Sequence, residues 1–107
     1  MWLWAFLLGQ AVEMPIYLVA FGRPGVPPHP LWMKLAAGFG ATALTHPFAW
    51  MAMGRLIPQL GFWPAVVLVE AAVVLVEAVY LRLWSVRWAP LWALLANGAS
   101  FAAGLLL

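Results

Sequence analysis

An apolar segment at residues 64–84 constrains the fold of this chain more than any other feature. As a helix it is long enough to cross the ~30 Å hydrocarbon core of a bilayer, yet it contains Glu70 and Glu77. Seven residues make almost two helical turns, so both carboxyl groups project from one face, about 10 Å apart along the helix axis. An acidic side chain within a membrane is costly and usually faces a partner or a water-filled cavity. The segment therefore predicts a transmembrane helix with one polar face.

The composition of the whole chain also indicates a membrane protein. Hydrophobic residues make up 67% of the 107 residues and charged residues only 7%, whereas about a quarter of a soluble protein is charged. The net charge of +2 comes from only five Lys and Arg residues, so we expect no nucleic-acid partner. The absence of cysteine excludes disulfides, thiolate metal sites and cysteine nucleophiles. The N-terminal segment lacks the basic start and the cleavage site of a signal peptide, so we expect it to be retained.

Breaks rich in proline and glycine divide the chain into four apolar segments. We expect the helices to stop at residues 22–30 and 58–63, and at a short turn after residue 84. The predicted helices cover residues 1–21, 31–57, 64–84 and 90–107. Short connections between helices are typical of up-down bundles. We therefore predict one all-α domain, an antiparallel integral membrane bundle of four transmembrane helices in a lipid bilayer.

The basic residues predict which side of the membrane each connection faces. Arg23 and Lys34 flank the first connection. Arg82 and Arg87 flank the third, and only Arg55 lies near the second. In a bundle of four helices, the first and third connections lie on the same side. Because cytoplasmic connections carry the excess of Lys and Arg, we predict that both termini are outside.

Several polar residues fall inside the predicted helices and form the candidate site. Their estimated depths put Glu13, Glu77 and Asn97 in an inner layer, and Thr45, His46, Glu70 and Ser100 in an outer layer nearer the termini. Pro15 and Pro47 lie close to this set in sequence, and each frees a backbone carbonyl group four residues earlier. Because a free carbonyl group in lipid needs a partner, we expect both proline kinks to face the interior or water.

More than one role is open for these residues. Burial disfavours the charged form of a carboxylic acid, so a neutral glutamic acid can simply form a hydrogen bond between helices. Asn97 and Ser100 fit the same structural role. A metal site is a further alternative, with Glu13, His46, Glu70 and Glu77 as candidate ligands, although the Glu-x-x-His motif of di-iron bundles is absent. No organised base and oxyanion hole accompany Ser100, so no catalytic residue is predicted, and no cofactor other than such a metal ion.

The arrangement of these residues resembles a family of small uncharacterised prokaryotic four-helix membrane proteins. The resemblance is carried by Glu13-x-Pro15, by the sequence THP that ends at Pro47, by VVLVEAVY around Glu77 and by ANGASF from Ala96. It extends over nearly the whole chain and implies a multi-pass protein of the prokaryotic cytoplasmic (inner) membrane. It implies no activity.

The chain is also similar to small multidrug resistance transporters in length, in its four predicted helices and in the position of Glu13. That likeness implies that Glu13 exchanges protons for a cationic substrate within an antiparallel dimer. Other features depart from the pattern of those transporters. They are the glutamates of the third helix, the His46–Pro47 pair, and the bias of the basic residues, which predicts a single orientation.

The leading functional hypothesis is transport of protons or a small cation, or proton-coupled transport, through the bundle. Glu13, Glu70 and Glu77 would titrate or bind the cation. His46 would relay protons. The alternative is a non-catalytic subunit of a larger membrane complex, in which other subunits pair with the glutamates. Small residues spaced four apart predict close helix packing and are compatible with a homo-oligomer.

Overall fold

The computed structural model describes residues 2–107 as four α-helices. The helices are α1 (Trp2–Phe21), α2 (Leu31–Leu60), α3 (Phe62–Leu83) and α4 (Ala89–Leu106). No strand occurs among residues 2–107, so the predicted all-α fold with four helices is confirmed. Each helix packs against two others, in the closed ring α1–α2–α3–α4–α1. The bundle measures 44 × 23 × 20 Å along its principal axes.

Contacts between α1 and α2 show that these helices run in opposite directions. Gly9 of α1 lies beside Thr42 of α2, whereas Tyr17, further along α1, lies beside Gly38. The pairs Ala37–Tyr80 and Thr45–Glu77 show the same reversal between α2 and α3. The pairs Glu77–Asn97 and Trp63–Phe101 show it between α3 and α4. The end of the bundle that carries the connections 22–30 and 84–88 is called the loop end. The opposite end, where α1 begins and α4 finishes, is called the terminal end.

The second helix is longer than predicted and continues through Pro58 to Leu60. A proline near the last turn removes a backbone hydrogen bond without forcing the helix to stop. The helix ends at Gly61, whose φ of +86° disfavours residues with a side chain, and α3 begins at the next residue. The predicted break at residues 58–63 is therefore a single glycine.

Three of the helices, α1, α3 and α4, are long and apolar enough to cross a membrane. The remaining helix, α2, does not meet this criterion, although its 30 residues make it the longest of the described helices. Its middle contains glycines, threonines, a histidine and a proline, which lower its mean hydropathy. Thr42 and Thr45 are buried inside the bundle. Much of the polarity of α2 therefore belongs to the interior rather than to the outer surface.

The buried apolar core lies toward the loop end. Its large members include Tyr17, Phe21 and Leu81, and most of the others are small. The alanines of this core are Ala20, Ala37, Ala41, Ala78, Ala89, Ala93 and Ala96. Small side chains let helix backbones approach closely. The loop end of the bundle is therefore tightly packed.

Two glycines of α2 make close contacts with side chains of the neighbouring helices. A Cβ atom at Gly38 would lie 2.8 Å from Sδ of Met14, and one at Gly40 would lie 2.7 Å from the hydroxyl oxygen of Tyr80. That hydroxyl group donates a 2.8 Å hydrogen bond to the carbonyl oxygen of Ala37. These glycines bring α1 and α3 close to α2 near the loop end.

Candidate functional site

One cavity in the terminal half of the bundle brings the predicted site residues together. It has a volume of about 320 Å³ and is partly open. The seven candidate residues all line it, namely Glu13, Thr45, His46, Glu70, Glu77, Asn97 and Ser100. The lining extends to Ala5, Phe62 and Leu105, which lie in the first or last turns of their helices. We call this space the acidic cavity.

Glu77 lies at the deep end of the acidic cavity and bonds to the three other helices. Its Oε1 atom accepts hydrogen bonds from the Tyr17 hydroxyl group of α1 and, at 3.1 Å, from Nδ2 of Asn97 of α4. Its Oε2 atom accepts a 2.5 Å hydrogen bond from Oγ1 of Thr45 of α2. The Glu77 side chain is only 1% exposed. A buried carboxyl group with several partners from different helices fixes those helices relative to one another.

Glu13 forms a second polar contact, between α1 and α2. Its Oε1 atom accepts a 2.9 Å hydrogen bond from Oγ1 of Thr42. A Cβ atom added at Gly9, one turn earlier, would lie 3.6 Å from Oε2 of Glu13 and 3.7 Å from Oγ of Ser100. Glu13 and Ser100 therefore approach the same point from α1 and α4. The absence of a side chain at Gly9 keeps that point uncrowded.

Glu70 differs from the other two glutamates because it is only partly buried. It lines the acidic cavity about 10 Å closer to the terminal end than Glu77. None of the side-chain hydrogen bonds formed among residues 2–107 involves it. Its carboxyl group is therefore free to bind a solute that enters the cavity.

His46 lines the same cavity and has an unused nitrogen. Its Nε2 atom is buried and finds no hydrogen-bond partner within the described part of the chain. The rings of Trp2, Phe6 and Trp50 surround the imidazole, with centroids 5.8, 5.5 and 6.4 Å from its own. A buried polar atom without a partner is uncommon and costs free energy. Nε2 of His46 is therefore shielded from water and has no partner within residues 2–107.

The polar site ends directly against the apolar core. Tyr17 is fully buried, and it both donates to Glu77 and belongs to the core at the loop end. Ala41 and Ala96 of the same core immediately precede Thr42 and Asn97 in their helices. The acidic cavity is thus bounded on the loop side by tightly packed side chains.

One of the two prolines does not take the position expected of it. Pro15 is exposed on the outside of α1, so the expectation that its kink faces the interior is not met. Two residues correspond to about 200° of helical rotation, which turns Pro15 and the freed carbonyl residue Ala11 away from Glu13. Pro47 is half-buried, but it does not line the acidic cavity either.

The predicted set omits two residues that the structure brings into the site, Tyr17 and Thr42. Helical spacing contains a signal for both. Tyr17 follows Glu13 by four residues and Thr42 precedes Thr45 by three, so each shares a helix face with a predicted site residue. The predicted layers also need correction, because Thr45 bonds directly to Glu77 and so belongs to the inner layer.

The ionisable groups that line the acidic cavity are mainly carboxyl groups. Three carboxyl groups and one histidine line it, whereas no Lys or Arg among residues 2–107 does. Within the same residues, no group of three His, Asp or Glu side chains is placed to hold a metal ion, so the geometry gives the metal-site alternative no support. Carboxyl groups without a basic neighbour exchange protons and, once ionised, concentrate cations. The arrangement suits protons or cations.

Comparisons with known proteins add no family to this description. The resemblances to small four-helix membrane proteins and to multidrug transporters stay predictions. The chain matches no protein-family model, no curated protein and no solved structure.

Proposed function

We propose that this chain is a four-helix integral membrane protein whose acidic cavity binds and carries protons or a small cation. The observation that carries the proposal is the composition of the cavity lining, which has three carboxyl groups and no Lys or Arg of residues 2–107. Carboxyl groups in such a lining can release protons and, once ionised, attract cations and repel anions. Its volume of about 320 Å³ lies near the lower end of ligand pockets and suits an ion with water or a small organic cation.

The outer surface supports insertion into a bilayer. Large apolar side chains are exposed along all four helices, among them Leu7, Phe48, Leu75 and Leu94. The less apolar helix α2 packs between α1 and α3, and its 30 residues give it a length of about 45 Å, more than the ~30 Å of the hydrocarbon core. We therefore propose that all four helices cross the membrane.

The proposed orientation has the loop end in the cytoplasm, because four of the five basic residues lie in or beside its connections. The acidic cavity would then open to the outside and be closed to the cytoplasm. The tightly packed core at the loop end argues against a permanently open channel. Carriage of a cation would require the helices at the loop end to change their packing once the cavity is occupied.

The three glutamates take different parts in this proposal. Glu70 is the exchanging group, because it is the most accessible of the three and has no internal hydrogen-bond partner among residues 2–107. Glu77 mainly holds the helices together and marks the inner limit of the cavity. Glu13 and His46 line the same space and can exchange protons with Glu70 through water.

A flux measurement on protein reconstituted in liposomes tests the proposal. A pH-sensitive dye inside the vesicles reports proton movement driven by a potassium–valinomycin potential, and cation movement is followed with sodium and with tetramethylammonium. We expect flux in the wild type and a loss of at least tenfold in Glu70→Gln. Glu70→Asp keeps the charge and should retain most of the flux.

Folding is checked in each variant by circular dichroism and by elution as a single species. Absence of flux in the folded wild type would contradict the proposal and would favour the subunit alternative. Co-purification of a stoichiometric partner after mild detergent extraction would then test that alternative. Equal flux in the wild type and in Glu70→Gln would show that Glu70 is not the exchanging group.

A further inference from the structure

The loop end of the bundle carries basic residues without acidic neighbours. Four basic residues lie in or beside its two connections, namely Arg23, Lys34, Arg82 and Arg87. All three acidic residues of the chain line the acidic cavity instead. None of the side-chain hydrogen bonds formed among residues 2–107 involves a Lys or an Arg. The loop end is therefore a cationic surface that lacks an acidic side chain to balance its charge.

Two of these basic residues meet at one turn. The backbone N–H of Val26 donates a 3.2 Å hydrogen bond to the carbonyl oxygen of Arg23. Pro24 and Gly25 lie between them, and Gly25 has the positive φ, +90°, that a type II turn requires at its third residue. A Cβ atom added at Gly25 would lie 3.2 Å from Cδ and 3.8 Å from Nη1 of Arg87. The Arg87 side chain therefore lies across the turn that Arg23 begins. We call residues 23–26 together with Arg87 the arginine turn.

Contacts beneath the arginine turn hold the two connections together. The ring of His29 stands edge-on to Trp84, with centroids 5.4 Å apart, and Trp84 packs in the same way against Phe21 at 6.0 Å. Val86 is 1% exposed and belongs to the apolar core, and Val26 packs against that core. Both arginines are exposed. The backbone that carries them is thus anchored, while their guanidinium groups can reach a ligand.

Tryptophans indicate the depth of this surface in the membrane. Four of them lie in the connections of the loop end or in the adjoining first turns, namely Trp32, Trp84, Trp88 and Trp92. Trp32 and Trp88 are 67% and 71% exposed. Tryptophan is enriched where lipid headgroups meet water. In the proposed orientation, the arginine turn therefore lies among the headgroups of the cytoplasmic leaflet, which contains the anionic lipids.

We propose that the arginine turn binds the phosphate group of an anionic phospholipid from the cytoplasmic leaflet. This inference rests on the membrane position proposed above and not on the carriage of cations. Guanidinium groups bind phosphate oxygens through paired, charge-assisted hydrogen bonds. Arg23 and Arg87 would hold the phosphate from the two connections, and the other two basic residues of the loop end would add to the attraction.

Charge and position favour this ligand over two others. The trimethylammonium group of phosphatidylcholine would bring a further cation beside four basic residues, so a lipid with a net negative charge fits better. A soluble phosphate would use the same hydrogen bonds but nothing else. The acyl chains of a lipid would also lie along the apolar side chains just below the turn, among them Leu31, Leu83 and Leu91, which are exposed.

The test compares two lipids on purified full-length protein in a non-ionic detergent. Phosphatidylglycerol and phosphatidylcholine with identical acyl chains are titrated separately, and native mass spectrometry gives the affinity of each. Arg23→Gln and Arg87→Gln remove the charges of the arginine turn, and glutamine keeps the Cδ atom that contacts Gly25. Arg55→Gln is the matched control, because Arg55 is exposed and lies on α2 toward the terminal end. Circular dichroism checks the fold of each variant.

We expect the wild type to bind phosphatidylglycerol at least tenfold more tightly than phosphatidylcholine. A basic residue near an anionic lipid surface contributes a factor of about five in affinity. Each single variant should therefore weaken phosphatidylglycerol about fivefold, and the double variant at least tenfold, with phosphatidylcholine unchanged within twofold. Arg55→Gln should change neither lipid, and excess inorganic phosphate should not displace phosphatidylglycerol. Arg23→Gln alone carries the test if Arg87→Gln fails to fold.

Three outcomes would overturn the inference. Equal affinity of the wild type for both lipids would show that the loop end does not select an anionic headgroup. Equal losses in Arg55→Gln and in the arginine-turn variants would show that only the total charge matters. Displacement of the lipid by inorganic phosphate would identify a soluble phosphate as the ligand. Carbonate extraction of membranes tests insertion separately, so a protein that stays in the membrane fraction but lacks lipid preference refutes this inference alone.

Discussion

Replacement of Glu77 measures how the four helices are held together. In Glu77→Ala the Tyr17 hydroxyl group loses the only side-chain acceptor that the described residues offer it. Thr45 and Asn97 also lose a bond, but each keeps a backbone carbonyl acceptor in its own helix, at 3.3 Å and 2.8 Å respectively. The substitution therefore removes three interhelical hydrogen bonds and leaves the buried Tyr17 hydroxyl group without a side-chain acceptor among the described residues.

The magnitude follows from these contacts. Hydrogen bonds between membrane helices average ~0.6 kcal/mol and reach ~1.7 kcal/mol. A buried donor left without an acceptor costs ~1–3 kcal/mol. We therefore expect Glu77→Ala to lower the free energy of unfolding by about 2 to 5 kcal/mol.

Glu77→Gln is the matched variant, because an amide has nearly the same shape. Its oxygen can accept from Tyr17 and Asn97, and its NH₂ group can donate to Oγ1 of Thr45, whose own hydrogen then turns to a backbone carbonyl group. The expected loss is below about 1 kcal/mol. Unfolding by SDS in mixed micelles, followed by circular dichroism, measures both variants. A Glu77→Ala protein as stable as the wild type, or a Glu77→Gln protein as unstable as Glu77→Ala, would refute this account of the network.

Three further substitutions test separate features, each by the same unfolding measurement. Gly40→Ala puts a methyl group 2.7 Å from the Tyr80 hydroxyl oxygen and should cost about 1–3 kcal/mol, whereas Gly98→Ala, with open space around it, should be neutral or slightly stabilising. His46→Phe removes a buried nitrogen without a partner among residues 2–107, together with the hydrogen bond between the imidazole and the backbone of Trp2. The two effects oppose each other, so the free energy of unfolding should change by less than about 1 kcal/mol, while liposome proton flux falls. Ser85→Gly relieves a φ of +63° and should raise stability by about 1 kcal/mol; a loss of stability would show that the Ser85 side chain has a role of its own.

Much of the fold follows from the sequence because the apolar segments that predict the helices are long. The helices α1, α3 and α4 each contain a long apolar segment, so their existence does not depend on any single position. The ends are less certain for a physical reason. Pro58 suggests that the helix stops there, but a proline near the end of a helix removes only one backbone hydrogen bond. The chain instead turns at Gly61.

The members of the site could be predicted, but their bonding could not. Glu13, Glu70 and Glu77 stand out because charged side chains are rare in apolar helices. Whether each one has a partner depends on the rotation of the neighbouring helices, which a single sequence does not specify. Three donors reach Glu77, one reaches Glu13, and none among residues 2–107 reaches Glu70. Tyr17 was not predicted as a site residue, because a tyrosine in an apolar helix ordinarily lies at the membrane–water interface.

The alanines at the loop end also determine where this sequence can change. Ala20, Ala41 and Ala93 have no exposed surface, so a larger residue at any of them must push helices apart at a cost of about 1–3 kcal/mol. Residues that line the acidic cavity without bonding to Glu13 or Glu77 border empty space instead and can vary in size at a smaller cost. In a mutagenised library, folded variants with new ligand preferences should therefore carry nearly all their changes in the terminal half. Half of the molecule would preserve the fold while the other half diversifies.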